Sequence, residues 1–234
     1  MDLFFGTTNP GKVRELRRLV AGLPVRVVSL EDLGREVPDV VEAGDTFAEN
    51  AAKKAVEFAR FAGMHALADD SGLCVDALGG APGVRSARWS EEEPEPAPAS
   101  PVCELPGVAA AELGPVAGRA ARDERNNDKL LRLLTGTPDA GRGAGYVAAL
   151  AVAAPDGRIV ATAEGTCRGR IGHERRGSGG FGYDPLFCPD GMRGRTMADL
   201  TPEEKDAISH RGVAFRRLRA ALEALVPRLD ERGH

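Results

Sequence analysis

Apolar positions along the chain switch between strand-like and helix-like spacing. Residues 3–5 form a short apolar run that reads as a buried strand, and the turn-rich residues 7–12 follow it. Val13, Leu16, Leu19 and Val20 then recur on one helical face, and residues 25–29 return to strand character. This strand, loop, helix, strand opening predicts an α/β chain. The clearest helix spans 46–62. Thr46 and Glu49 form a capping box, Phe47, Ala51, Ala55 and Phe58 make an apolar stripe, and Asn50, Lys54 and Glu57 lie on a polar face. Residues 66–68 are apolar and end at Asp69-Asp70-Ser71-Gly72, with 73–78 as a further strand candidate and 79–83 as a loop.

The second half opens with a change of character. From Glu91 to residue 121 the chain is rich in Pro, Ala and Glu, a composition that buries little apolar surface, so 92–121 is expected to be a mobile surface insertion. Helical spacing resumes over 123–134. Residues 145–153 and 158–166 predict a hairpin around Pro155-Asp156-Gly157. A glycine-rich loop covers 177–184. Thr201-Pro202-Glu203-Glu204 starts a helix, and 213–225 predicts a final amphipathic one. There is no internal repeat.

Composition narrows the function classes. The 234 residues are 42% hydrophobic and 28% charged, enough for one large domain or two lobes sharing a core. A net charge of -4 gives no overall basic face for stable nucleic-acid binding, but leaves room for a small anionic substrate gripped by a local cluster. Cys74, Cys103, Cys167 and Cys188 form no CxxC pair and match no zinc spacing, so reduced thiols are expected. The N-terminus lacks a basic stretch, and no apolar run approaches the ~20 residues of a membrane span, so a cytoplasmic protein without a membrane segment is expected. Only five of the 31 basic residues are lysine: Lys12, Lys53, Lys54, Lys129 and Lys205. A GC-rich coding background produces such a bias. It leaves lysine enriched where a compact ammonium does what a planar fork cannot.

Four segments carry candidate chemistry. Thr7, Thr8, Asn9, Pro10, Gly11 and Lys12 join a strand to a helix, where free backbone N–H groups and the lysine favour an anion. The spacing is not that of a Walker loop, and an ordinary βα turn is the plain alternative. Asp69 and Asp70 are adjacent acids that an extended backbone would point to opposite faces, one toward a cleft and one toward the interior. A hard cation such as Mg²⁺ takes one or two carboxylates plus phosphates, with Glu42 or Glu49 as further acid candidates. A solvated turn is the alternative there. Gly179-Gly180-Phe181-Gly182-Tyr183-Asp184 offers close backbone approach and an aromatic that could stack on a base or pack inside. Lys205 and Ser209 would share a helical face if the helix continued, with His210 and Arg211 as donors to a purine carbonyl or a phosphate.

Together these segments resemble the inosine/xanthosine triphosphate pyrophosphatases, the Ham1-like proteins. The resemblance rests on TTNPGKVREL, DTFAENAAKKA, LADDSGLCVDALGGAPGVRSARW, GSGGFGYDPLF and LTPEEKDAISHRG, in the family's order and over nearly all the chain outside 92–121. It implies a long mixed β-sheet flanked by helices, with two lobes around a central cleft, as a single domain over 1–234. The implied activity is Mg²⁺-dependent cleavage of aberrant purine triphosphates (ITP, dITP, XTP) to monophosphate and pyrophosphate by a homodimer. By position, Thr7, Thr8, Asn9, Pro10, Gly11 and Lys12 would grip the triphosphate, with Lys54 and Ser71 beside it. Glu42 and Asp70 would hold metal, and Asp70 would also accept the proton. Phe181, Gly182, Tyr183, Asp184, Lys205, His210 and Arg211 would form the base pocket. The chain departs from the family at 92–121, and in lacking the glycine that many relatives carry between the loop threonine and asparagine. A Maf-like pyrophosphatase of pyrimidine or modified nucleotides, and a nucleotide-binding protein without turnover, are the rival readings.

Overall fold

The computed structural model describes residues 1–35, 40–91 and 115–230, with backbone alone at 115–117 and 227–230. Strands β1 (Asp2–Phe5), β2 (Arg26–Val28), β3 (His65–Val75), β4 (Gly143–Ala153), β5 (Ile159–Ile171) and β6 (Phe187–Pro189) form one mixed sheet in the order β2-β1-β3-β4-β5-β6. β1 runs parallel to β2 and β3, and the remaining pairs are antiparallel. Helices α1 (Pro10–Leu19), α2 (Leu30–Leu33), α3 (Phe47–Ala62), α4 (Pro115–Leu133), α5 (Pro202–Ile208) and α6 (His210–Asp230) flank the sheet.

Strand alternation sorts the core. Leu3, Phe5 and Leu67 face one side with Leu150 and Val152, where α1 supplies Val13 and Leu16 and α6 supplies Phe215, Leu218 and Leu222. Phe4, Ala66 and Ala68 face the other side with Ala149, Ala151 and Ala153, against Ala51, Ala55 and Ala59 of α3. Small residues on both partners let α3 lie close to the sheet. A third cluster, including Leu73, Val75, Tyr146, Ile171 and Phe187, fills the other lobe with Leu130 and Leu134 from α4 and its C-terminal end. The long strands β3, β4 and β5 therefore run from one lobe into the other. Asp69 and Asp70 sit where β3 crosses between them.

Three features differ from the sequence expectation. Residues 66–78 do not break at Asp69-Asp70-Ser71-Gly72. β3 is continuous through them, paired Asp69 with Leu150 and Asp70 with Ala149. Tertiary pairing overrides the turn preference of those residues. The last residues of the expected 92–121 insertion belong to α4, which begins at Pro115, a residue suited to the first helical turn. Residues 92–114 lie outside the described residues, as does Cys103. Finally, Lys205 and Ser209 do not share a helix. α5 stops at Ile208, Ser209 has extended backbone, and its Oγ accepts from Gly212 N to start α6.

Candidate active site

Alternation along β3 gives the two acids opposite surroundings. Asp69 points with Leu67 toward α1 and α6. It accepts from Lys12 Nζ at 2.9 Å and Arg211 Nε at 2.9 Å, and Ser71 Oγ donates to it at 3.3 Å. Asp70 points with Ala68 toward α3. It accepts from Lys54 Nζ at 2.8 Å and from Asn50 Nδ2 at 3.2 Å. Both are buried, so the solvated-turn reading does not hold. Their acidities diverge. Burial works against the charge of Asp69, but Lys12, Arg211 and Lys54 outweigh it and hold its carboxyl far below the usual range. Burial dominates at Asp70, with Glu42 adding repulsion, and its pKa is raised despite Lys54.

Lys54 Nζ is a cation on which two carboxylates converge, Asp70 Oδ1 at 2.8 Å and Glu42 Oε1 at 2.9 Å. Glu42 also accepts from Arg88 at 3.2 Å. Two hard oxygen donors meeting at one cation, on the wall of a cavity of about 360 Å³, fit a divalent ion that completes its shell from phosphate and water. Among the described residues no group of three such ligands occurs. Glu49 is not a third ligand, because its carboxylate accepts from Asp45 N and Thr46 N and closes the α3 cap.

The loop before α1 forms the near wall. Asn9 caps the helix by accepting from Gly11 N, Pro10 takes the first helical turn, and Thr7 Oγ1 accepts from Asn9 N. Thr8 is exposed at the cleft mouth. Lys12 faces inward, its pKa lowered by burial and by Arg211 and Lys54 in spite of Asp69. A β-carbon at Gly11 would come within 2.8 Å of the Phe181 ring, so the glycine lets the two loops touch.

Beyond Phe181 lies a second, smaller cavity of about 110 Å³, bordered by Tyr146, Tyr183, Asp184, His210 and Arg211. Asp184 pins the glycine-rich loop by accepting from Phe181 N at 3.0 Å, and receives Lys205 Nζ at 2.7 Å. Gly182 lines the cavity through its backbone, its N–H donating to Asp123. Tyr183 donates its hydroxyl to Ser86 O, which makes it part of the wall. The Phe181 ring lies near Lys205 Nζ (4.7 Å to the centroid) and Arg211 Cζ (5.3 Å), so it bridges the loop to two cations in addition to any stacking role. His210 stacks on Tyr146 at 4.7 Å and 8°. Its Nδ1 is buried with no hydrogen-bond partner among the described residues. Burial first, then Arg211 and Lys205, push its pKa well below 6.5, so the ring is neutral.

Three supports escaped the sequence reading. Glu15, on α1, takes Lys205 at 2.9 Å and Arg211 at 3.2 Å and orients both. Asn50 holds Asp70 and also caps Gly44. Asp69 was legible as one of an acid pair, but not as the anchor of Lys12 and Arg211. Placement of His210 depends on Gly165 in β5. A β-carbon there would overlap His210 O and Ala214 N, so only glycine lets α6 cross the strand this closely.

Comparison with known proteins shows the family and the fold. The sequence model of the Ham1 family matches residues 3–100 and 101–221. A dITP/XTP pyrophosphatase of Anaeromyxobacter sp. (strain Fw109-5) is 73% identical over 96% of this chain and 98% of its own. One from Anaeromyxobacter dehalogenans (strain 2CP-C) is 70% identical over 96% and 98%. The solved structure of a HAM1 protein from Coxiella burnetii superposes with a TM-score of 0.73 at 32% identity, covering 95% of this chain and 98% of that one.

Proposed function

The chain belongs to the Ham1 family, and from that premise we propose that it hydrolyses aberrant purine nucleoside triphosphates, dITP, ITP and XTP, to the monophosphate and pyrophosphate, with Mg²⁺ as cofactor. The observation that carries this reading is the division of one cleft into a carboxylate-and-lysine end and a smaller end with a buried, neutral imidazole. The triphosphate lies along Lys12, Lys54 and the loop amides, and the base enters between Phe181 and His210. Asp70, buried and less acidic than a free carboxyl, is suited to take a proton from water. The water oxygen bonds to the α-phosphorus, the bond to the α–β bridging oxygen breaks, and pyrophosphate leaves while Asp70 holds the proton. Glu42 and Asp70 would hold the Mg²⁺, which supplies charge neutralisation on the phosphates. Donors in the base pocket match the 6-oxo group of hypoxanthine and xanthine, and an adenine amino group would leave them unpaired. The family resemblance supports a homodimer, and the unpaired thiols of the sequence support a cytoplasmic one. Among the described residues no helix is long and apolar enough to cross a membrane.

The test is pyrophosphate release from ITP, dITP, XTP, GTP, ATP and dUTP, with and without Mg²⁺. Fast release from the first three, only with Mg²⁺, is expected. A preference for dUTP, or no release from any of them, would overturn the assignment.

A further inference from the structure

We infer that Arg119, in the second turn of α4, is a phosphate-binding residue whose guanidinium grips the phosphate nearest the sugar of a bound purine nucleotide. The inference rests on the triphosphate reading above and adds a residue from outside the segments that carry it.

Position comes first. Arg119 Nη2 donates to Thr8 Oγ1 at 3.0 Å, which ties α4 to the loop before α1. Among the described residues, only Asn9 and Arg119 border all three cavities of the cleft: the one at Asp70, the one at His210, and a larger one between the two loops. The Asn9 Oδ1 is used in capping α1, which leaves the Arg119 guanidinium as the charged group of the pair. A nucleotide with its base at His210 and its terminal phosphates at Lys54 passes its first phosphate through the junction of those two cavities, which Arg119 borders together with Asn9, Lys12, Ser71 and Ala87. Arg119 has four N–H donors left there after Thr8, in the fork geometry that suits phosphate oxygens.

Charge points the same way. Every other buried or half-buried cation facing the cleft already has a carboxylate: Lys12 has Asp69, Lys54 has Asp70 and Glu42, Lys205 has Glu15 and Asp184, and Arg211 has Glu15 and Asp69. Half-buried Arg119 has no carboxylate at ion-pair distance among the described residues. Asp123, the acid that acts on it, is engaged by Gly182 N. Burial and the adjacent Arg122 lower its pKa, as for a cation held without a counter-ion. A ligand phosphate supplies that counter-ion.

The experiment compares wild type, Arg119→Ala and Arg119→Lys for ITP kinetics and for binding of IMP and of inosine, which carries no phosphate. Arg119→Ala is expected to raise the KM for ITP and the Kd for IMP by about tenfold, the scale of one charge-assisted hydrogen bond. Inosine binding and the melting temperature should stay near wild type, and Lys should restore part of the affinity. Unchanged KM and IMP affinity in Arg119→Ala, or an equal loss for inosine, would overturn the role of Arg119 while leaving the function standing. A wild-type protein that does not hydrolyse ITP would overturn both.

Discussion

Asp69 and Asp70 are neighbours on one strand and both are buried, yet the protein treats them in opposite ways. The α1/α6 side surrounds Asp69 with Lys12, Arg211 and Ser71, each at hydrogen-bonding distance, and its charge is fully matched. The α3 side gives Asp70 one lysine that it shares with Glu42, and one amide. The first arrangement builds rigidity and the second keeps a carboxylate poised for exchange. What separates them is the number of cations each side chain meets when a strand's two faces point at different helices.

Exchanging each acid for its neutral amide sharpens the contrast. Asp70→Asn should lose about a thousandfold or more in kcat for ITP, since a general base and a metal carboxylate go together. Because the folded pKa of Asp70 is raised, its charged form is disfavoured in the native state at neutral pH. The variant should therefore melt at the same temperature as wild type or higher. Near wild-type turnover would remove Asp70 from its proposed role. Asp69→Asn should behave in the reverse manner. It leaves Lys12 and Arg211 short of an anion in the interior and should cost about 3 kcal/mol in denaturant unfolding. A stability equal to that of Asp70→Asn would dissolve the distinction between the two faces.

The smallest effect concerns pH. The folded pKa of His210 lies well below its ordinary 6.5, so between those values only the unfolded chain takes up the proton. Its contribution to stability is complete above pH 6.5 and declines below it as the unfolded chain takes up the proton. Thermal melts of wild type and His210→Gln from pH 7.5 to 5.5 should show the wild type losing more. Parallel slopes would mean that His210 is protonated in the folded protein.

Local pattern was enough to place much of this. The capping box at Thr46, the β-loop-α opening and the opposed directions of Asp69 and Asp70 all follow from short-range periodicity. Continuity of β3 was hidden, because Asp-Asp-Ser-Gly has turn chemistry and its strand character comes from pairing with β4, far away in sequence. Glu15 was hidden too. Its only local sign is that it lies one turn before Leu19, while the reason for burying it, Lys205 and Arg211, lies about 190 residues on. Arg119 sits in a stretch whose composition reads as solvent-facing, and no periodicity marks the one side chain that turns back toward Thr8.

At Gly165 the sheet and α6 meet backbone to backbone. The depth of the smaller cavity is thus gauged by a single missing methyl group beside the His210 backbone. An alanine there would lift the start of α6 and carry His210 and Arg211 with it. The fit of the smaller cavity is therefore set partly at Gly165, which borders none of the cleft's cavities.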